Sequence, residues 1–533
     1  MAAALALVLI LGATVVLTAI AKRLDIPYPV AFVVGGIALA FVPDLPRPHL
    51  SPDFIFLLVL PPLLFSGGWS TDWFEFKRNA RPIFFLAFGL VIFTTVIVAA
   101  VTHAMIPGFT WPIAFVLGAI VSPPDAVAAE AVFERVPIAR RILAILSGES
   151  LVNDATALVI YRFAVAAVVT GSFSLAQAGV AFVLVSIGGI LVGLASAWVL
   201  LALMRQLIAR DLDDPTISNV VALLAPFAAY LPAEAMHVSG VLAAVSAGIY
   251  SSRHAHEIFR SGGRLVAGGV WSVLTFLLNA FVFLMIGLQL PDIVHGLVRS
   301  PQRYLMDAAV VSVLVIVLRI VWVFPATYLP RLLSKRIARE DPVPRIGAVA
   351  IISWAGMRGI VSLAAALALP YRDAAGQPFA ARDEILFLTF CVIVATLVVQ
   401  GVTLAPLSRL FDATDQSSMA HLEESVRIQA LEAGIAQLHA LESGFSGTLE
   451  WEITGRLLGE YSRRIEYLKG HFDGDEHGED GELNEISIDH RLERAALDAE
   501  LQAIADMRRG GGIPDDVYNA IQYDLDLAQA RLT

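Results

Sequence analysis

Apolar residues fill the first 410 or so positions of the chain in long runs, separated by short polar connections. A bilayer core of about 30 Å needs about 20 apolar residues per helix. On that measure thirteen segments can be placed, centred near residues 3–21, 29–43, 53–67, 82–106, 112–133, 142–170, 175–204, 217–232, 238–251, 267–290, 305–329, 346–369 and 385–408. Those at 29, 53, 217 and 238 carry the weakest signal. After residue 411 the pattern changes: apolar positions recur three and four apart at Ile428, Leu431, Ile435 and Leu438, and again at Leu492, Ala496 and Leu501. That period predicts amphipathic helices. Between them DGDEHGEDGELNE (473–485) looks superficially like a calcium loop. His477 and Asn484 stand where a ligand and a bidentate Glu belong, so a solvated linker is expected. The expected fold is an all-α polytopic membrane protein: a membrane domain over 1–411 and an acidic helical tail over 412–533.

Composition sharpens this picture. The chain is 57% hydrophobic and 16% charged, with a mean hydropathy of +0.72, far from the soluble average. The net charge of -11 is an average over two regimes: about -16 lies after residue 411, and the preceding part is near +5. Lys22 and Arg23 follow the first apolar run instead of preceding it, which predicts a retained span and not a cleaved signal. With thirteen spans and an external N-terminus, cytoplasmic loops hold about 19 Lys and Arg and external loops about five, as the positive-inside rule requires. The tail is then cytoplasmic and the membrane the inner, cytoplasmic one. A single cysteine, Cys391, excludes an intrachain disulfide and a CxxC metal site. No cofactor and no nucleic-acid partner are expected.

Five ionisable residues lie inside apolar segments: Asp125, Glu149, Asp154, Arg319 and Arg358. Each costs about 2.5–3.5 kcal/mol at mid-bilayer and so needs a partner or a purpose. Glu130 and Glu134 lie nearer a span end and are expected to face water. In the sixth span Glu149 and Asn153, and Ser150 and Asp154, are four apart, which makes adjacent stripes of one polar face. Pro123 and Pro124 remove amide donors before Asp125 and free carbonyls that can coordinate a hard cation. Gly356 and Gly359 allow a comparable break beside Arg358. If two inverted six-span repeats are joined by the seventh span, these broken spans are the matched fifth and twelfth. Interrupted spans at matched positions point to a transporter's binding site.

Asp154 has no basic residue on its own face, which favours a role in transport over a structural one. Asp125 either joins it or bonds backbone at the break, and Ser150 either ligates a cation or bonds a carbonyl one turn back. Glu149 and Arg358 are expected to form an ion pair holding the sixth span to the twelfth, with Arg319 the alternative partner.

VSPPDAVAAEAVFERVPIARRILAILSGESLVNDATALVIY, PPLLFSGGW at 61–69 and GMRGIVSLAAALALP at 356–370 resemble the first class of monovalent cation:proton antiporters, the sodium/proton exchanger family in its bacterial form. The resemblance spans about residues 5–410. It implies that Asp154 is the ion-binding and proton-carrying carboxylate, Asn153 its helix-supporting neighbour and Asp125 a further contributor. It implies also that Glu149 and Arg358 pair across the core, that the protein is a homodimer with a sliding core domain, and that Asn before the key Asp marks electroneutral exchange. Two departures stand out: Pro124 precedes Asp125 where many relatives have Asp-Pro, and Ser66 stands where some carry an acid. The expected function is exchange of Na+, or K+ or Li+, for H+, with the cation held by Asp154 and Asp125 and helped by Ser150 and freed carbonyls such as that of Pro124. Rival readings are a cation channel, a membrane sensor, and an intramembrane aspartyl protease using Asp125 and Asp154, for which the Tyr-Asp and Gly-x-Gly-Asp motifs are missing.

Overall fold

The computed structural model describes residues 2–411 except 44–51, 134–137, 172–174, 211, 213, 255–260, 296–300, 373–376, 378 and 380; beyond 411 it describes 428, 431–436, 438–440, 449–470 and 527. The chain divides into two compact units, residues 1–415 and 416–533. The described part of the second contains a helix over Leu449–Gly470, and residues 431–436 are also helical. The expected linker at 473–485 and the amphipathic segment near 492–501 lie outside the described residues.

The first unit is built from helices joined by short turns and extended segments, with no strand among its described residues. We label its main helices α1 (Ala2–Leu24), α2 (Tyr28–Ala40), α3 (Pro52–Ser70), α4 (Ala80–Met105), α5 (Trp111–Val121), α6 (Ala126–Phe133), α7 (Arg140–Thr170) and α8 (Leu175–Ala209). The second half follows with α9 (Pro215–Ala235), α10 (Gly240–Arg253), α11 (Ser261–Leu288), α12 (Pro301–Leu333), α13 (Ile346–Trp354), α14 (Ile360–Leu367) and α15 (Arg382–Leu410). Among the described residues eight helices are long and apolar enough to cross a membrane by themselves, with α2 and α5 as shorter apolar ones. A count of thirteen spans is therefore not what length and composition alone deliver.

Two breaks define the architecture. The run expected at 112–133 is two half-helices, α5 and α6, separated at 122–125, and the run at 346–369 is α13 and α14, separated at 355–359. Proline and glycine chemistry accounts for both. The halves of the chain also answer each other in packing. Backbones of α2 and α11 meet at Gly36 and Gly287, and those of α3 and α10 meet at Gly68 and Gly248; a Cβ on any of the four would strike a main-chain oxygen of the partner helix. Small residues are what let membrane helices approach this closely. Gly36 and Gly248 each stand eight residues after the start of their helices, as matched positions of two repeats would.

Prolines also shape α3. Pro61 and Pro62 lack amide protons, and the turn before them widens to a π-helical one over Ile55–Val59. A second π-turn, Phe85–Leu90 in α4, leaves the Phe85 carbonyl to accept from Trp322 Nε1 at 3.1 Å.

Where α4 and α7 begin and α12 ends, three arginines converge on one carboxylate. Arg81 and Arg331 bond Asp341 Oδ2 at 2.5 and 2.6 Å, and Arg141 bonds Oδ1 at 2.7 Å. We call this end of the bundle the basic face. Burial alone would push the Asp341 carboxyl up, but hydrogen bonds and charge from Arg141 and Arg331 outweigh it and hold the group below its ordinary value. Stability from a depressed carboxylate is present above its unfolded value, about 3.9 for Asp, and is lost as pH falls through the folded value. Asp341→Asn is expected to lower the thermal midpoint in detergent at pH 7, with the gap to wild type closing as the pH is taken below about 4. A gap independent of pH would contradict the clamp.

Candidate ion site

The two extended segments left by the breaks cross each other. Asp125 N donates to Met357 O at 2.7 Å, and Ile360 N donates to Asp125 Oδ2 at 3.1 Å. Asp125 Oδ1 accepts from Val127 N at 2.9 Å. One carboxylate thus serves the amino ends of both α6 and α14, where unpaired amides and the helix dipole present positive charge. Gly359 makes this approach possible, since a Cβ there would lie 1.7 Å from Asp125 Oδ2.

The carboxyl ends are served by Arg358, whose side chain is 0% exposed. Its Nε donates to Val121 O at 3.0 Å, Nη2 to Ser122 O at 3.4 Å and Nη1 to Gly356 O. Its own amide donates to Thr396 Oγ1 at 3.1 Å. The guanidinium therefore sits on the last carbonyls of α5 and beside the end of α13, which carry partial negative charge.

This overturns the expected pair of Glu149 with Arg358. Glu149 on α7 binds Arg319 on α12 through two hydrogen bonds, Nη1 to Oε1 at 2.5 Å and Nη2 to Oε2 at 2.8 Å, with the side chains 1% and 0% exposed. Arg319 also donates from Nε and Nη2 to Ile352 O, near the end of α13. The physical reason is competition. Arg358 lies in the break itself, where carbonyls released by two interrupted helices surround it, while Arg319 approaches from an intact helix with its fork free for the carboxylate.

Asp154 lies on the adjacent stripe of α7 and is 7% exposed. It lines a cavity of about 80 Å3 together with Pro123, Pro124, Asp125, Ser147, Ser150 and Glu130, with Leu60, Leu63, Leu64 and Gly67 of α3, and with Gly359 to Ser362. No Lys, Arg or His is among the described lining residues. Asp125 accepts from the backbone amides of Val127 and Ile360, whereas Asp154 is buried beside Asp125 in the same cavity. Of the sequence candidates, Asp154, Asp125, Ser150 and Pro124 share this cavity. Asn153 does not line it: its Nδ2 donates to Pro124 O at 3.1 Å, tying α7 to the break, and its Oδ1 is buried without a partner among the described residues. Three polar lining residues were not singled out as candidates: Ser147, Glu130 and Ser362. Ser147 stands three before Ser150 and seven before Asp154, on the same helical stripe, and that spacing was the available signal.

Comparisons with known proteins identify the family. The profile of a family described as "Sodium/hydrogen exchanger, transmembrane" matches residues 9–410. This chain belongs to that family. It is 33% identical over 549 residues to an Escherichia coli protein named "Uncharacterized Na(+)/H(+) exchanger YjcE", covering 98% of each chain. It is 33% identical over 511 residues to a Bacillus subtilis "Sodium, potassium, lithium and rubidium/H(+) antiporter", covering 93% of this chain and 73% of that one. Among solved structures the antiporter MjNhaP1 of Methanocaldococcus jannaschii matches with a TM-score of 0.59 at 18% identity, over 76% of this chain and 99% of that one, a likeness of fold. The sodium/hydrogen exchanger family is one of transporters, and this member exchanges a monovalent cation for protons across a membrane that it crosses several times.

Two substitutions test the geometry. Arg319→Gln strands a buried carboxylate and is expected to cost about 3–5 kcal/mol, while Glu149→Gln combined with it is expected to cost less than the two singles summed. Additive losses in detergent unfolding would mean the two residues are not partners. Gly359→Ala is expected to displace the Asp125 carboxylate and abolish exchange while protein is still made and inserted; near-normal exchange would show that Asp125 does not sit against residue 359.

Proposed function

We propose that Asp154 is the group for which cation and proton compete, and that the exchange is electroneutral and works by alternating access. One observation carries this. Asp154 and Asp125 face one small cavity whose described lining has no basic side chain, and among the described residues backbone amides hold the charge of Asp125 but not that of Asp154. A buried carboxylate without a partner is costly. A proton or a cation each removes that cost, and because both act on the same oxygens, binding one excludes the other.

Na+ is held by Asp154 and Asp125, with Ser150 and the second lone pair of the Pro124 carbonyl as further oxygen ligands, since hard cations take oxygen. K+ or Li+ is taken by the same mechanism, and the B. subtilis relative's printed name includes all three. The bundle moves across the barrier only when the site has been neutralised, which couples the two fluxes. By loop charge, the basic face is cytoplasmic, the N-terminus external, the membrane the inner one and the tail cytoplasmic and regulatory. The apolar face of α8 supports a homodimer: only 11% of its most apolar stretch is buried within one chain, with Leu184, Leu191 and Trp198 exposed. Membrane lipid covers the remaining apolar surface.

Purified protein in proteoliposomes, driven by a pH gradient and offered Na+, K+ or Li+, is expected to exchange, and Asp154→Asn is expected to lose exchange at least a hundredfold while keeping its detergent stability. Normal exchange by Asp154→Asn sinks the assignment. Electroneutrality predicts a rate unchanged when a membrane potential is imposed with K+ and valinomycin in Na+-driven exchange; acceleration or slowing by the potential would contradict it.

A further inference from the structure

The clamp on Asp341 sets three guanidinium charges against one carboxylate. The other partners of these arginines are neutral: Arg141 Nε donates to Asn79 Oδ1 at 2.9 Å, and Arg331 donates to the carbonyls of Thr327 and Asp341. Donors are also in excess, because a guanidinium carries more N–H groups than one carboxylate oxygen can take. Arg81 uses only Nη2, and Arg141 uses Nε and Nη2. Arg81 Nε and Nη1 and Arg141 Nη1 have no acceptor among the described residues.

The same three arginines line a cavity of about 60 Å3 between the start of α4, the start of α7, the end of α12 and α13. No Asp or Glu is among its described lining residues, and beyond the arginines its wall is largely apolar, with Phe85, Leu86, Ile145, Val323 and Ile352. A single water needs about 10–15 Å3 of such space. The cavity therefore has room for a small anionic group and not for an acyl chain.

We propose that this cavity binds the phosphate of an anionic phospholipid, held by Arg81 and Arg141 while Arg331 stays on Asp341. Charge and geometry both support it, since a guanidinium fork matches two phosphate oxygens at once. Depth selects a lipid as the source of the phosphate. The arginines stand at helix ends, where the bundle meets the headgroups, and the apolar wall starts about one turn further in. Basic pockets between spans at this level take anionic headgroups. Phe84, next to Phe85 of the wall, is exposed and gives the lipid an apolar surface beside its phosphate. A free phosphate meets the same arginines but gains nothing from that surface. Asp341 and the lipid are then rival anions on one cluster, and a bound phosphate joins α4 to α7, the helix that carries Asp154.

The test uses the full chain purified in a neutral detergent and titrated with dioleoylphosphatidylglycerol or dioleoylphosphatidylcholine, reading bound lipid by native mass spectrometry and the thermal midpoint. Wild type is expected to retain phosphatidylglycerol and gain midpoint from it, and to do neither with phosphatidylcholine. Arg81→Gln leaves Asp341 two arginines and is expected to weaken phosphatidylglycerol binding about fivefold, with Arg141→Gln added to it weakening binding further. Asp341→Asn frees a third arginine and is expected to bind phosphatidylglycerol about fivefold more tightly, recovering in that lipid part of the midpoint it loses in phosphatidylcholine. A clamp without a ligand gives Asp341→Asn the same loss in both lipids. That result, or binding unchanged in Arg81→Gln and in the double variant, overturns the proposal. Inorganic phosphate alone is expected to leave the midpoint where it was; a full reproduction of the lipid's effect by phosphate assigns the cavity to a soluble anion and overturns the lipid site.

Discussion

Four half-helix ends meet inside a membrane, and the structure depends on how their charge is compensated. Water would do this at a protein surface, but it is not available in the hydrocarbon. Asp125 takes the amide-bearing ends of α6 and α14, and Arg358 takes the carbonyl-bearing ends of α5 and α13. Each half of the chain supplies one broken span, and each break supplies the ion that the other needs: the aspartate of the first caps a helix of the second, and the arginine of the second caps a helix of the first. The crossing is therefore self-neutralising, and it leaves no charge to spare.

That balance gives the remaining carboxylates different fates. Glu149 is neutralised by Arg319, which ties α7 to α12 and reaches the end of α13. Asp154, one stripe round α7, receives neither an arginine nor an amide among the described residues. A cavity built from Asp125, Ser150 and the proline break faces it. The separation of roles along one helix, with a fixed pair on one stripe and an uncompensated acid on the next, lets an ion come and go without loosening the bundle.

Much of this was legible in the sequence. Pro123-Pro124 and Gly356/Gly359 announced the two breaks, and the four-residue spacing of Ser150 and Asp154 announced the cavity stripe. Helical spacing places residues on one helix, however, and says nothing about which helix packs against it. That is why Arg358 looked like the partner of Glu149: both are buried charges of opposite sign, and the carbonyls that claim Arg358 exist only once both spans are broken and crossed. The dual capping by Asp125 was hidden for the same reason, since Ile360 lies 235 residues away in sequence. The π-turns of α3 and α4 follow from local proline and packing constraints that a period of 3.6 does not register.

The central claim is that one carboxylate exchanges a proton for a cation, and the most direct test of it needs no transport. Purified protein in weakly buffered detergent, titrated with Na+ beside a pH indicator, is predicted to release about one proton per cation bound wherever Asp154 is protonated beforehand. The Asp154→Asn protein is predicted to release none. Saturable Na+ binding without proton release at any pH, or undiminished release from the Asn variant, would contradict the account.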